Sequence, residues 1–434
     1  NGNDDIYLDN ITLTKTLQTN PDKTIDSLKD TYKDVFPIVG VGAGIASILG
    51  KNGSEFISQQ YNAVTPGNEM KPDAILGSTI GKLVKTTDEV SADKTDFITV
   101  EDAKSMGYII PDNYTSYDDN RFKSATGEYA VPRLNFDNVD KLMKAAHENG
   151  VKLRGHTLVW HQQTPKYFFQ QNYKITTGQK YNTSKECMDT RLEFYVKTVM
   201  NHVLSSEYAD CLYSYDVVNE YLHSANAEKD SKNITYWGLI YGTYDKSVKD
   251  HGVTLRPSYV KDAFKYAHEM LVKYDRLDVK LIYNDYNCYQ NPENIIHLVD
   301  YINSEGKVCD GIGMQSHLDI TDSFHSATNY AKALEYFRLN CPDLEIQITE
   351  LDATMVSTED KPLTDEDQAA YYDQIMNAIL TNKKNGGNIT ALIIWSLYDG
   401  VSWRPAKFPC LFNGLYMPKA AFYAVIDAKK QYWD

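Results

Sequence analysis

The sequence lacks the segments and compositions that mark several protein classes. It has no apolar run of about 18 residues, so we expect no membrane-spanning helix. Only 24 glycines and 14 prolines occur in 434 residues, which excludes a collagen-like or low-complexity chain. With 24% charged and 42% hydrophobic residues, the composition also excludes a disordered chain. These absences leave a soluble globular protein, with room for one large domain or up to about three small ones.

Cysteine is scarce as well. The six cysteines have no CxxC spacing and are too sparse for a disulfide scaffold: Cys187, Cys211, Cys288, Cys309, Cys341 and Cys410. Six cysteines allow fifteen pairings, and the sequence does not choose among them. We expect mostly buried thiols, and one or two disulfides remain open if the chain is exported.

Basic residues are outnumbered, with 44 Lys and Arg against 59 Asp and Glu, and the net charge is −15. Such a surface repels a phosphate backbone, so we expect no nucleic-acid partner. An acidic surface suits a neutral partner and secretion, and we expect a secreted monomer. The chain begins at Asn1 without a signal-peptide pattern, which is typical of a processed or trimmed chain.

Short β-rich runs alternate with longer amphipathic segments. The eight clearest runs are Ile38–Ala43, Ala63–Thr65, Lys152–Trp160, Ser214–Asn219, Val279–Asn284, Gly311–Ser316, Glu345–Thr349 and Ala391–Trp395. Helical patterns cover Asn138–Asn149, Arg191–Leu204, Ser258–Tyr274, Asn294–Glu305, Thr328–Cys341, Asp365–Lys383 and Lys419–Trp433. Eight such βα units predict an α/β fold, a closed (β/α)8 TIM barrel. A doubly wound open sheet is the alternative, but no GxGxxG follows the first strand.

The chain is longer than the roughly 250 residues that a plain barrel needs. Residues 73–133 are polar and rich in Gly and Pro breakers, and predict a large loop or small subdomain inserted after the second strand. A second long loop covers 164–186. Residues 1–34 predict a polar lead-in segment, which leaves 35–434 for the catalytic barrel.

Polar or aromatic residues end seven of the eight predicted strands. They are Asn68, Glu69 and Lys71; His156, Trp160 and His161; Asn219 and Glu220; Asn284, Asp285 and Tyr286; Gln315 and His317; Glu350 and Asp352; and Trp395. The C-terminal ends of barrel strands meet at one face, where active sites lie. Two glutamates from distant strands, Glu220 and Glu350, provide the carboxylate pair that glycoside hydrolysis requires. The set therefore predicts a glycosidase site.

Six motifs carry a resemblance to a known family: Asn62–Lys71, Arg154–His161, Asp216–Glu220, Asn284–Asn287, Gly311–His317 and Ile348–Asp352. In this order, at the ends of strands two to seven, they resemble the family 10 glycoside hydrolases, the β-1,4-xylanase group of a superfamily of retaining barrel glycosidases. The similarity covers about 36–434, apart from the two long loops. It implies a retaining endo-β-1,4-xylanase that hydrolyses internal bonds of xylan or xylo-oligosaccharides.

The resemblance also implies roles for individual residues. Glu220 would be the acid/base and Glu350 the nucleophile. His317 would hydrogen-bond Glu350, Asp352 would orient the imidazole, and Asn219 would hold the 2-hydroxyl of the sugar in subsite −1. The implied substrate-binding residues are Asn68, Lys71, His156 and Trp160 at subsites −1 and −2, Trp395 and Trp403 around the −1 sugar, Tyr286 at +1, Gln315, and Gln163. Gln163 and Trp403 would fill the space that a glucose hydroxymethyl needs. We expect no metal and no cofactor.

The chain departs from the family pattern at Gly67 and Pro72, where the family usually has Glu and Trp. The missing glutamate normally contacts the −2 sugar. One hypothesis is that 73–133 rebuilds this end of the cleft, and the alternative is that the insertion packs outside the barrel. Two functional alternatives also stay open: a related barrel β-glucanase or cellobiohydrolase, and a non-catalytic polysaccharide-binding barrel.

Overall fold

The computed structural model describes residues 22–77, 97–114, 130–173, 182–224, 235–356 and 362–434. Its strands are β1 (Ile38–Ala43), β2 (Ala63–Pro66), β3 (Phe97–Thr99), β4 (Ala130–Pro132), β5 (Lys152–Trp160), β6 (Leu212–Asn219), β7 (Lys280–Asp285), β8 (Gly311–Met314), β9 (His317–Asp319), β10 (Glu345–Thr354) and β11 (Ile389–Trp395). Eight of them close a parallel barrel in the order β1-β2-β5-β6-β7-β8-β10-β11, because β11 pairs with both β10 and β1. The short β9 extends this sheet beside β10. The predicted (β/α)8 barrel is confirmed.

The helices are α1 (Leu28–Tyr32), α2 (Ile45–Leu49), α3 (Lys51–Gln60), α4 (Pro72–Leu76), α5 (Val100–Ser105), α6 (Asp137–Glu148), α7 (Lys185–Ser205), α8 (Tyr236–Tyr241), α9 (Ser258–Lys273), α10 (Pro292–Ile302), α11 (Ala327–Asn340), α12 (Asp365–Lys384) and α13 (Ala420–Ala428). Several of these helices begin at a residue whose side chain caps the helix N-terminus. Ser184 accepts a hydrogen bond from the backbone of Cys187 at the start of α7, and Thr364 and Asp367 form a capping box on α12. The last predicted helix ends at Ala428 as an α-helix and continues as a short π-helix, Lys429–Trp433.

The described part of the predicted insertion packs on the outside of the barrel. Strands β3 and β4 form an antiparallel pair, and α5 follows β3 directly. Tyr108 and Tyr114 both contact the ring of Phe194 on α7, and the Tyr114 hydroxyl lies 2.7 Å from that of Tyr173. These contacts favour the second of the two hypotheses for 73–133. Residues 78–96 and 115–129 of the insertion lie outside the described residues.

Apolar side chains of the strands and helices form one continuous core. The segment predicted as a lead-in joins it through α1, where Leu28 and Tyr32 are buried and the Tyr32 hydroxyl donates to the carbonyl of Val425. All six cysteines lie within the described residues, and all are free thiols. Among those residues, no helix has the length and apolar character needed to cross a membrane.

Candidate active site

A cleft of about 670 Å³ opens at the C-terminal ends of the barrel strands. Thirteen of the predicted site residues line it: Asn68, Lys71, His156, Trp160, Gln163, Asn219, Glu220, Tyr286, Gln315, His317, Glu350, Trp395 and Trp403. Asp352 lies directly behind them, fully buried. Additional lining comes from Gly42, Ala43, Gly44, Gly67, Gln162, Asn287, His325, Ser396, Val401, Ser402 and Arg404. A groove of similar volume between α11 and α12 contains none of the strand-end residues.

Glu350, on β10, is held as a carboxylate. The side-chain amide of Asn284 donates to its Oε1 over 2.8 Å, and His317 Nε2 donates to its Oε2 over 3.1 Å. Burial alone would raise the pKa of Glu350, but the hydrogen bonds from His317 and Asn284, together with the nearby imidazoles of His317 and His156, lower it to about 2. Glu350 is therefore ionised, and little of its side chain is exposed in the cleft.

Asp352 orients the imidazole of His317. Its Oδ1 accepts from His317 Nδ1 over 2.9 Å, and its Oδ2 accepts from the indole N–H of Trp403 over 2.8 Å. Burial would lower the pKa of His317, but the carboxylates of Asp352 and Glu350 raise it to about 10. The histidine is therefore a cation with both ring nitrogens donating to carboxylates.

The environment of Glu220 shifts its pKa upward, in the direction opposite to the shift of Glu350. It follows β6 with a left-handed backbone (φ 57°), which turns its side chain into the cleft. Burial raises the pKa of Glu220, and the carboxylates of Asp285 and Glu350 act in the same direction. Hydrogen bonds from Gln315 (3.0 Å) and from the Trp160 indole (2.8 Å) oppose this rise without cancelling it. The two glutamates thus have pKa values shifted in opposite directions.

Asn284 connects Asn219 to the carboxylate of Glu350. Its side-chain amide donates both to Asn219 Oδ1, over 2.9 Å, and to Glu350, while its own oxygen accepts from Thr349 over 2.7 Å. Gln315 also donates to Asn219 Oδ1, over 3.1 Å. The Asn219 oxygen is thus occupied, and within the described residues its NH₂ group has no acceptor, so it is free to donate to a ligand hydroxyl.

The sequence motifs alone assign no role to Asn284 or to Asp216. Asp216 accepts from His156 Nδ1 over 2.9 Å and from Arg154 Nε over 2.9 Å inside the barrel. The signal was present, since an aspartate in the buried run of β6 requires a partner. Each residue begins one of the six motifs, but a motif does not show which polar atoms meet.

A polar cluster at the ends of β2 and β5 consists of Asn68, Lys71 and Gln163. Lys71 Nζ donates to Gln163 Oε1 over 3.0 Å and to Asn68 Oδ1 over 3.3 Å. The ammonium also lies 4.8 Å from the ring centroid of Trp160. Burial lowers the pKa of Lys71 although four carboxylates nearby act against it. These groups form one wall of the cleft.

Two glycines shape the cleft in different ways. At Gly42, a Cβ would lie 2.3 Å from the indole of Trp395, so the absence of a side chain lets this tryptophan close over the site. At Gly67, a Cβ would meet nothing within 4 Å, so the wall is open where the family pattern has a glutamate. None of the described residues of 73–133 lines the cleft, and Asp73 reaches only the amide of Gln163, over 3.4 Å.

The described residues contain no group of three or more His, Cys, Asp or Glu side chains placed to hold a metal ion. The cleft presents two carboxyl groups, one protonated more readily than the other, surrounded by indoles and amide donors. On the C-terminal face of a (β/α)8 barrel, such a pair defines a glycoside hydrolase.

The chain belongs to glycosyl hydrolase family 10, whose sequence profile matches residues 27–428. The endo-1,4-β-xylanase A of Butyrivibrio fibrisolvens is 40% identical over 373 residues, which cover 86% of this chain and 77% of the relative. The bifunctional endo-1,4-β-xylanase XylA of Ruminococcus flavefaciens is 30% identical over 93% of this chain, which spans only 34% of that relative.

Solved structures show the same fold. The CBM22-1 and GH10 modules of the endo-1,4-β-D-xylanase 10B from Clostridium thermocellum, complexed with xylohexaose, superimpose with a TM-score of 0.67 at 26% identity. The match covers 94% of this chain and 68% of that one. The endo-1,4-β-xylanase of Caldicellulosiruptor owensensis gives a TM-score of 0.62 at 28% identity, covering 93% and 100% of the two chains.

Proposed function

We propose that this chain is a retaining endo-1,4-β-xylanase that hydrolyses internal β-1,4 bonds of xylan through a covalent glycosyl-enzyme intermediate. The observation that carries the proposal is the pair Glu220 and Glu350, whose pKa values are shifted in opposite directions within one cleft. The names of the relatives support xylan as the substrate. Action as a secreted monomer remains part of the proposal, consistent with the acidic surface.

In the first step, the ionised Glu350 attacks the anomeric carbon of the sugar in subsite −1. Glu220 donates its proton to the glycosidic oxygen, so the bond from the anomeric carbon to that oxygen breaks as the bond to Glu350 forms. In the second step, Glu220, now a carboxylate, removes a proton from water. The resulting oxygen nucleophile displaces Glu350, and the product keeps the β configuration.

In this mechanism the NH₂ group of Asn219 donates to the 2-hydroxyl, a hydrogen bond that strengthens in the oxocarbenium-like transition state. The indole of Trp160 and the amide of Gln315 hold Glu220 at its two oxygens. These bonds fix the acid/base in one position, so it does not have to reorganise during proton transfer.

Proton NMR of an early reaction mixture tests the mechanism. Hydrolysis of a xylo-oligosaccharide is expected to release the β-anomer first, with the α-anomer appearing only at the rate of mutarotation. Initial release of the α-anomer would show inversion and contradict the proposal. Assay on xylan beside a soluble cellulose derivative tests the substrate, and faster hydrolysis of the cellulose derivative would favour the β-glucanase alternative.

Replacing His317 by asparagine is expected to move the acid limb of kcat/KM to higher pH by about one unit or more. The reason is that His317 lowers the pKa of Glu350, and the nucleophile must stay ionised. Without the imidazolium, Glu350 is protonated at a higher pH, so activity is lost earlier on acidification. His202→Asn is the matched control, because His202 pairs with Asp140 far from the cleft. An acid limb that stays in place would contradict this role.

Trimming Gln163 to alanine is expected to raise the ratio of cellobioside to xylobioside hydrolysis by about tenfold, since it opens space for a hydroxymethyl group. Trp403→Ala should act in the same direction, with an added loss on both substrates because Trp403 also donates to Asp352. Tyr423→Ala, which removes an exposed aromatic on α13, serves as the control. An unchanged ratio in both cleft variants would rule out selection by steric exclusion.

A further inference from the structure

A histidine outside the six sequence motifs lies close to the acid/base. His223 comes three residues after Glu220, and its backbone N–H donates to the Glu220 carbonyl over 3.2 Å. Its Nδ1 lies 2.7 Å from Oδ1 of Asp285, at the end of β7. The His223 side chain is 17% exposed and that of Asp285 is 1% exposed, so water and salt screen this ion pair only weakly.

Asp285 is fixed as the acceptor of this pair. Its Oδ1 also accepts from the backbone N–H of Tyr286 over 2.9 Å, and its Oδ2 accepts from the hydroxyl of Tyr283. Of these three donors, only the imidazole of His223 can carry a positive charge at neutral pH. The charge balance of the buried carboxylate therefore depends on His223.

The ring of His223 also packs against Tyr286, which lines the cleft. The two rings stack with their centroids 3.9 Å apart and an interplanar angle of 25°. His223 itself does not line the cleft, so it acts on a bound sugar only through its neighbours. The hydrogen bond to Asp285 and the stack on Tyr286 together fix the position and the plane of the imidazole.

Three histidines are close together here, and only His223 has a raised pKa. Burial would lower the pKa of His223, but the carboxylates of Asp285 and Glu220 raise it. Burial lowers the pKa of His161, which follows β5, to about 4. It also lowers the pKa of His251, whose ring lies edge-on to that of His223 at 5.1 Å. In both cases the charge of His223 adds to the decrease, so the positive charge of the cluster is concentrated on His223.

Glu220 interacts with both members of the ion pair. Burial raises the pKa of Glu220, and the carboxylates of Asp285 and Glu350 add to the rise. The ammonium of Lys71 and the imidazolium of His223 act against it, because a positive charge nearby favours the ionised carboxylate. Without the charge of His223, the negative charge of Asp285 would be uncompensated. Glu220 would then keep its proton to a higher pH.

We propose that His223 is a positioning residue for the acid/base step, with a charge that sets the highest pH at which Glu220 still donates its proton. The ion pair with Asp285 and the stack on Tyr286 hold this charge in place. The inference rests on the proposed function, in which Glu220 protonates the leaving oxygen. The competing explanation is that His223 only supports the ring of Tyr286.

Two variants separate the charge of the imidazole from its other contacts. His223→Asn keeps a neutral N–H donor toward Asp285 but loses the ring, and His223→Phe keeps a ring against Tyr286 but loses the donor. Neither side chain carries a charge. Both variants are expected to move the alkaline limb of kcat/KM on an unactivated xylo-oligosaccharide to higher pH, by about half a unit or more. The acid limb, which belongs to Glu350, should stay in place.

His147, in the last turn of α6 and outside the cleft, provides the matched control. It forms a similar pair with Asp210 over 2.9 Å and contacts the ring of Tyr208 at 5.3 Å. His147→Asn and His147→Phe should leave both limbs unchanged. An NMR titration measures the same coupling from the other side. The pKa observed at the C2 proton of His223 should fall in Glu220→Gln, because the interaction between two charges is reciprocal.

An alkaline limb that stays in place in either His223 variant would overturn the proposal. If only His223→Phe keeps the wild-type limb, the effect comes from the ring contact with Tyr286, and if only His223→Asn keeps it, from the hydrogen bond to Asp285. A pKa of His223 that is the same in Glu220→Gln as in the wild type would overturn it too. Failure of the wild type to hydrolyse xylo-oligosaccharides, or an alkaline limb that persists in Glu220→Ala, would instead contradict the proposed function.

Discussion

Replacement of Glu350 by alanine is expected to abolish hydrolysis of every substrate, with kcat reduced by at least about 10⁴-fold. The covalent step has no other acceptor, since Asn284 and His317 bind the same carboxylate only as hydrogen-bond donors. A good leaving group does not help, because the missing part is the nucleophile. Steady-state rates on xylan and on an activated aryl xylobioside measure the effect.

Added azide makes this test specific. In the Glu350→Ala cleft, azide fills the space of the lost carboxylate and attacks the anomeric carbon directly, so the product is an α-glycosyl azide. The matched control is Glu345→Gln, which changes a glutamate at the other end of β10, outside the cleft. If Glu350→Ala keeps more than a small fraction of its activity, or if its azide product is the β-anomer, the assignment of Glu350 is wrong.

Most of the barrel could be predicted from the sequence because its strands are buried, apolar and separated by amphipathic helices. Strands β1 and β5 match the predicted runs residue by residue. Helix α7 begins six residues earlier than its apolar pattern indicates, because the start is fixed by the Ser184 cap rather than by the buried face. Local hydrogen bonds of this kind set the ends of elements, and periodicity alone does not show them.

The strand ends of the sequence indicate which side chains line the cleft, but they do not indicate which of these side chains contact each other. Strand ends indicated which side chains share the cleft, since all barrel strands point to one face. They did not indicate that Trp160 donates to Glu220, or that Asn284 bridges Asn219 and Glu350. Such pairings depend on side-chain rotamers and on bends at strand ends, such as the left-handed backbone of Glu220. Neither follows from residue type and spacing.

Replacement of Glu220 by alanine should separate substrates by their leaving groups. On xylan, kcat/KM is expected to fall on the order of 10³-fold, because the departing sugar oxygen needs a proton. On an aryl xylobioside with a strongly acidic phenol, kcat/KM should stay within about tenfold of the wild type, since that leaving group departs without acid help. Glu207→Ala, which removes an exposed carboxylate outside the cleft, provides the control.

The same variant should also show that Glu220 acts twice. Without its carboxylate, no base activates water in the second step, so the glycosyl-enzyme accumulates and a burst of phenol precedes a slow steady state. Azide needs no base, and its attack on the α-linked intermediate should restore kcat and give a β-glycosyl azide, the opposite anomer to that from Glu350→Ala. On an unactivated xylo-oligosaccharide, the residual kcat/KM of the variant should lack the alkaline limb of the wild type, because there that limb follows deprotonation of Glu220, whose pKa is raised by burial. A variant equally inactive on both substrates and unaffected by azide would show that Glu220 is not the acid/base.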